Sequence, residues 1–173
     1  LSEIRVISKI KLLKKNYSSH DLKNELTSSI SKILNDLSVK KIDTLLLHEM
    51  SDIKTNNGFA WKCLVELKNK KLFKKLGISV QNESELLEAL ALKDVEVIQF
   101  PFNIVDNRWK NIIPKIIKNK KTRNLEIHIR SIFLQGLLLN MNQKSWKKTG
   151  FKDYKLIHNW LACKTKLFKR KSI

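Results

Sequence analysis

Five apolar runs of strand length recur along these 173 residues, with stretches long enough for a helix between them. Each run stops at a polar residue. Lys9 closes the first, His48 the second, Ser79 the third, Gln99 the fourth and Arg130 the fifth. The second run is the clearest: Ile42, Asp43 and Thr44 lead into Leu45, Leu46 and Leu47, then the lone His48. Near-continuous β-branched and aliphatic runs suit strands covered on both faces. Between the runs the apolar spacing turns helical. Leu22, Leu26, Ile30, Ile33 and Leu37 fall on one helical face, with Ser19 as its cap. Trp61, Leu64, Val65 and Leu67 follow the Asn-rich loop at residues 49–58. Asn82 with Glu85 forms a capping-box-like start to a helix carrying Leu86, Leu87 and Leu90. A further helix around residues 109–118 contains Pro114, which predicts a kink or a late start.

Strand and helix alternating in this way predict a parallel sheet, because parallel neighbours need crossover connections. Two architectures compete. A doubly wound nucleotide-binding sheet needs a glycine-rich first turn. The chain has four glycines, Gly58, Gly77, Gly136 and Gly150, and neither G-x-G-x-x-G nor a Walker loop. A (β/α)8 barrel instead gathers functional residues at the C-terminal ends of several strands, and usually takes about 250 residues. The expectation is therefore an α/β fold: a partial (β/α)8 TIM barrel of about five parallel βα units over residues 1–143. A basic amphipathic helix or tail follows at residues 144–173.

Lysine and arginine total 35 against 16 acidic residues, a formal net charge of +19. Such an excess suits nucleic acid or an anionic surface. Over residues 1–143, however, it is mostly lysine spread through every segment beside many Asn and Ile residues, which reads as a solvated surface. At 42% hydrophobic residues the chain can bury a core. Cys63 and Cys163 match no metal spacing, and Cys63 reads as a small buried hydrophobe. No metal ligand set is expected. Glu3, Arg5 and Lys9 interrupt any signal-peptide pattern, so a reduced, cytoplasmic setting is the default.

Period-two geometry puts Thr44, Leu46 and His48 on one strand face and Arg5, Ile7 and Lys9 on one face of the first strand. If both faces point inward, a lysine and a histidine converge on one mouth. That pair could lower a nearby hydroxyl pKa and orient a carbonyl. Each residue also has a plainer reading. His48 could be structural, Lys9 a surface lysine, Gln99 a backbone partner and Ser79 a cap. His128 shares a face with Glu126 and Arg130 and reads as an interior residue. Trp109 is placed near the mouth.

Taken in order, five motifs resemble the aldo/keto reductases. They are Ser8-Lys9; Leu45-Leu46-Leu47-His48; Leu76-Gly77-Ile78-Ser79-Val80; Ile98-Gln99-Phe100-Pro101-Phe102-Asn103; and Arg130-Ser131 ahead of Gln135-Gly136-Leu137-Leu138. The resemblance covers about residues 1–140. It implies a barrel that passes hydride between NADP(H), with NAD(H) not excluded, and the carbonyl carbon of a small substrate. The family's catalytic set is aspartate, tyrosine, lysine and histidine. Lys9 matches the lysine and His48 the histidine. Ser79 and Gln99 match residues that hold the nicotinamide carboxamide, and Arg130 matches the position of a ring that stacks on it. Val80 replaces an asparagine common in the family, and Lys71 stands where a glycine is expected before the third strand. The aspartate and tyrosine belong to βα units that would precede Leu1, and the last strand and its loop are not found. The expectation is thus a fragment that does not turn over by itself.

Residues 144–173 carry ten basic residues and one acidic one, Asp153. Phe151, Tyr154, Ile157, Trp160, Leu161, Leu167 and Phe168 form its apolar pattern, ahead of a Lys169-Arg170-Lys171 end. The favoured reading is a helix packed on the barrel. The rival is an inactive basic barrel remnant that binds nucleic acid or an anionic membrane surface.

Overall fold

The computed structural model describes residues 4–12, 18–139, 143–150 and 153–167. Phe151, Phe168 and residues 169–171, named in the tail pattern, lie outside them. Five strands, β1 (Ile7–Ile10), β2 (Ile42–Leu47), β3 (Phe73–Ser79), β4 (Val97–Pro101) and β5 (Glu126–Arg130), form one sheet in the order β1-β2-β3-β4-β5. Every pairing is parallel. A doubly wound sheet reverses its strand order at a switch point. Here each strand lies beside its sequence neighbour, which is how a (β/α)8 barrel is wound. The architecture is therefore the expected partial barrel.

Its helices are α1 (Ser19–Asp36), α2 (Phe59–Asn69), α3 (Glu83–Ala91), α4 (Ile113–Thr122), α5 (Gln143–Lys147) and α6 (Tyr154–Leu167). The chain divides into two compact units: Leu1–Pro101 with Arg108–Arg130, and Phe102–Asn107 with Ser131–Ile173. The first unit holds the sheet and α1 to α4.

One sheet face is aliphatic and buried. Leu45 and Leu47 of β2, Leu76 and Ile78 of β3 and Ile98 of β4 are wholly inaccessible, as are Leu22, Leu26 and Ile30 of α1 and Leu64 of α2. Each such side chain contributes about 1.5–3 kcal/mol on burial. Cys63 is buried among them, as expected. Leu87, read as apolar helix face, is instead partly exposed, because Leu86 and Leu90 already fill the inward stripe of α3.

Local chemistry sets the element ends. Ser18, one residue before the expected Ser19, caps α1: its Oγ accepts from the Asp21 N–H at 3.0 Å. Asn82 caps α3 as expected, accepting from the Glu85 N–H at 2.9 Å, while Glu85 accepts from the Gln81 N–H at 2.7 Å. Pro114 gives α4 its late start, in the first turn where a missing N–H costs nothing. Arg123 then donates to the carbonyls of Leu90 at 3.0 Å and Leu92 at 2.9 Å, and also to that of Val95, tying the end of α3 to the approach to β4.

Lys71 shows what the glycine position demands. The Lys71 N–H bonds the Lys68 carbonyl at 2.7 Å and the Leu72 N–H bonds the Leu67 carbonyl at 3.4 Å, a Schellman closure of α2. Its φ is +64°, where a side chain is strained. Lys71→Gly should therefore raise stability by about 1 kcal/mol, partly offset by the entropy glycine adds to the unfolded chain. Urea unfolding checks this as a higher midpoint at unchanged slope.

Gly77 is constrained in the opposite sense. A Cβ there would lie 2.3 Å from the Val97 carbonyl oxygen and 2.6 Å from Leu46 Cδ2. The carbonyl belongs to a strand backbone and has little room to give. Gly77→Ala should cost about 1–3 kcal/mol, seen as a lower urea midpoint.

Candidate active site

In-register parallel pairing decides which side chains meet. Lys9 is paired with Leu46, Leu46 with Gly77, Gly77 with Val97 and Val97 with Glu126. Two residues further along, Ser79 pairs with Gln99 and Gln99 with His128; beyond them Pro101 pairs with Arg130. Paired residues share a face. Lys9, Ser79, Gln99 and Arg130 therefore stand on the sheet face opposite the aliphatic core, toward the C-terminal ends of their strands. His48 follows β2 directly, and alternation carries it to the face of Thr44 and Leu46. Its N–H is fixed by the Ile10 carbonyl at 2.8 Å. All five expected residues thus share one face.

Ser79 is 1% exposed and Gln99 half-buried, side by side on neighbouring strands. A hydroxyl and an amide together offer donors and acceptors to a planar carboxamide. Arg130 is held at the rim, its Nη2 donating to Gln81 Oε1 at 2.5 Å, while its Nε is buried without a partner among the described residues. His48 Nδ1 is likewise buried and unbonded, with Glu49 Oε1 3.8 Å away. Glu49 is engaged by Lys11 at 2.6 Å, which holds its carboxyl below the usual range.

Burial lowers the Lys9 pKa, and the Arg130 guanidinium lowers it further. Below that lowered pKa the ionised Lys9 thus subtracts from stability. That penalty fades as pH rises from the lowered value toward the ordinary one.

Sequence reasoning missed two residues here. Gln81, two positions past Ser79, orients Arg130; its place just past a strand end was the available signal. Asp52 lies in the 3-10 turn Met50–Lys54, within the stretch read as loop, and is 8% exposed. It accepts from the Leu12 N–H at 3.4 Å, tying the end of β1 to the turn after His48. Burial raises its pKa. Nothing in the sequence marks that burial.

Trp109 is a correction. It is 0% exposed, its ring 4.7 Å from that of Phe100, so it belongs to the core rather than to a ligand-facing rim. His128 is on the inner face as read, 3.6 Å from Glu126. The cavity of about 870 Å³ in this unit opens at the other end of the same face, lined by Arg5, Ile7, Asp43, Lys75 and Glu126 among others. There the carboxylates are paired: Lys74 with Asp43 at 2.5 Å, and Lys75 with Glu126. That hydrogen-bonded pairing lowers both carboxyl pKa values. Barrel chemistry gathers at the C-terminal strand ends, which makes that end, and not the cavity, the candidate site. Among the described residues no cluster of three or more His, Cys, Asp or Glu could hold a metal, and no helix is long and apolar enough to cross a membrane.

The model of the aldo/keto reductase family matches residues 2–170. Among solved structures, the chain is similar to the apo form of aldo-keto reductase AKR11C1 from Bacillus halodurans: 20% identity, TM-score 0.62, over 80% of this chain and 43% of that one. It is also similar to an aldo/keto reductase from Klebsiella pneumoniae in complex with NADP and acetate: 12% identity, TM-score 0.59, over 77% of this chain and 44% of that one. A third likeness, to the aldo-keto reductase MGS-M4 from a deep-sea metagenome library, has 18% identity and a TM-score of 0.55, over 85% of this chain and 51% of that one. The chain spans about half the length of these structures or less, and at such identities they speak for the fold. No curated protein matches.

Replacing Arg130 with methionine removes a like charge from beside Lys9, so the Lys9 pKa should rise. Carbon-labelled lysine NMR should show Lys9 titrating below the other lysines in the parent and moving toward them in Arg130→Met. An unmoved Lys9 would contradict the placement of these two cations.

Proposed function

The chain belongs to the aldo/keto reductase family, and on that premise we propose that it carries the nicotinamide-holding and carbonyl-orienting part of an NADP(H)-dependent reductase. The observation that supports this reading is the gathering of Lys9, His48, Ser79, Gln99 and Arg130 on one sheet face. The cofactor, when bound, supplies or takes up a hydride at its nicotinamide ring. The residues present suit it, since a hydroxyl and an amide stand side by side and an Arg130 nitrogen is buried with no described partner.

In this reading Ser79 and Gln99 hold the carboxamide and so fix which ring face meets the substrate. The Arg130 guanidinium plane, steadied by Gln81, lies against the ring. His48 donates to the carbonyl oxygen and orients it. Lys9, in its cationic form beside a hydroxyl, stabilises that hydroxyl's ionised form. The hydroxyl itself would be a tyrosine. Of the two tyrosines in this sequence, Tyr154 belongs to α6 and stacks on Trp146, and Tyr17 falls outside the described residues. These residues alone therefore bind and orient without turning over.

NADPH binding, followed by nicotinamide fluorescence, tests this. The double variant Ser79→Ala, Gln99→Ala should bind about tenfold more weakly, as expected from losing about 1.4 kcal/mol in hydrogen bonds. The 173-residue chain should not oxidise NADPH with aldehydes or ketones. Undiminished affinity in the double variant, or NADPH oxidation by this chain that persists in His48→Ala and Lys9→Met, would overturn the assignment.

A further inference from the structure

Helix α6 is apolar on two faces. Tyr154 is buried and stacks on Trp146 of α5, ring centroids 6.4 Å apart and planes 24° apart, with Ile157 and Leu161 half-buried on the same side. That contact turns a second stripe outward. Leu156 is 68% and Trp160 40% exposed, four residues apart, and Cys163 continues the stripe. The exposed cations Lys155 and Lys164 flank it, and Lys144, Lys147 and Lys148 are exposed in and just after α5. Lys164 Nζ sits 5.9 Å from the Trp160 ring centroid. In the described part of this segment the only acidic residue is Asp153.

A solvent-facing helix has no reason to present leucine and tryptophan one turn apart inside a field of lysines. An interfacial helix does: aliphatic side chains enter the acyl boundary, indole sits at headgroup level, and lysines meet lipid phosphates. Nucleic acid explains less. Base stacking needs an open indole face, whereas Lys164 covers one, and Leu156 has no counterpart on a phosphate backbone. We infer that α6 is a membrane-surface contact whose Leu156–Trp160 stripe, framed by Lys155 and Lys164, docks on an anionic lipid bilayer. Charge complementarity selects this occupant, since a second copy of so basic a chain would bring like charges together.

Vesicle co-sedimentation of the whole 173-residue chain tests this, using phosphatidylcholine with and without phosphatidylserine. Binding should require phosphatidylserine and weaken steeply with salt. It should fall about tenfold or more in Leu156→Glu, Trp160→Glu, while Leu156→Met, Trp160→Phe keeps it. Both pairs alter exposed positions, and matching circular dichroism checks that they fold. Failure to bind phosphatidylserine vesicles at low salt would overturn the inference, as would unchanged binding by the Glu variant. Salt-sensitive binding to single-stranded RNA in place of vesicles would overturn it too. So would self-association that the Glu variant abolishes while vesicles go unbound.

Discussion

The register of four parallel strand pairings carries the rest of this structure. Because Lys9, Leu46, Gly77, Val97 and Glu126 align across the sheet, every second residue of five strands is committed to one face. A slip of one residue in the β2–β3 pairing would send Ser79 into the aliphatic layer and bring Ile78 out. Gly77 permits this register, since the Val97 carbonyl and Leu46 occupy the volume its side chain would need. The opposite face holds the alignment fixed through Leu45, Leu47, Leu76, Ile78 and Ile98.

The same face separates its electrostatics along the strands. At the N-terminal end carboxylates and lysines are matched: Glu126 takes Lys75 on this face, and Asp43, one residue out of phase with it, takes Lys74 and the Val6 N–H. At the C-terminal end Lys9 and Arg130 repel, sharing their face with the Ser79 hydroxyl, the Gln99 amide and the His48 imidazole, while the Glu49 carboxylate beside His48 is engaged by Lys11. Matched ions stabilise a structure. Unmatched, partly desolvated cations raise its free energy and are the usual sign of a ligand or reacting group to be met there.

Most of the fold could be read from the sequence because buried parallel strands announce themselves as apolar runs, and caps such as Asn82 with Glu85 act locally. The inward face could be read for the same reason: alternation along a strand needs no tertiary information. What could not be read depends on packing between elements. Trp109 looks amphipathic in sequence and is buried where it packs against Phe100. Asp52 sits in a polar loop by composition, yet the Leu12 N–H draws it inward. Gln81 gains its role only once β5 brings Arg130 alongside. Lys71 was legible as a position wanting glycine, and its positive φ gives the reason.

The most direct test of the central claim is a map of where the nicotinamide cofactor sits. Backbone and side-chain amide NMR during titration with NADPH would supply it. The account predicts shifts concentrated at Lys9, His48, Ser79, Gln99 and Arg130, fading toward the N-terminal strand ends. Shifts centred instead on Arg5, Asp43, Lys75 and Glu126, around the cavity at the other end of the sheet, would contradict it.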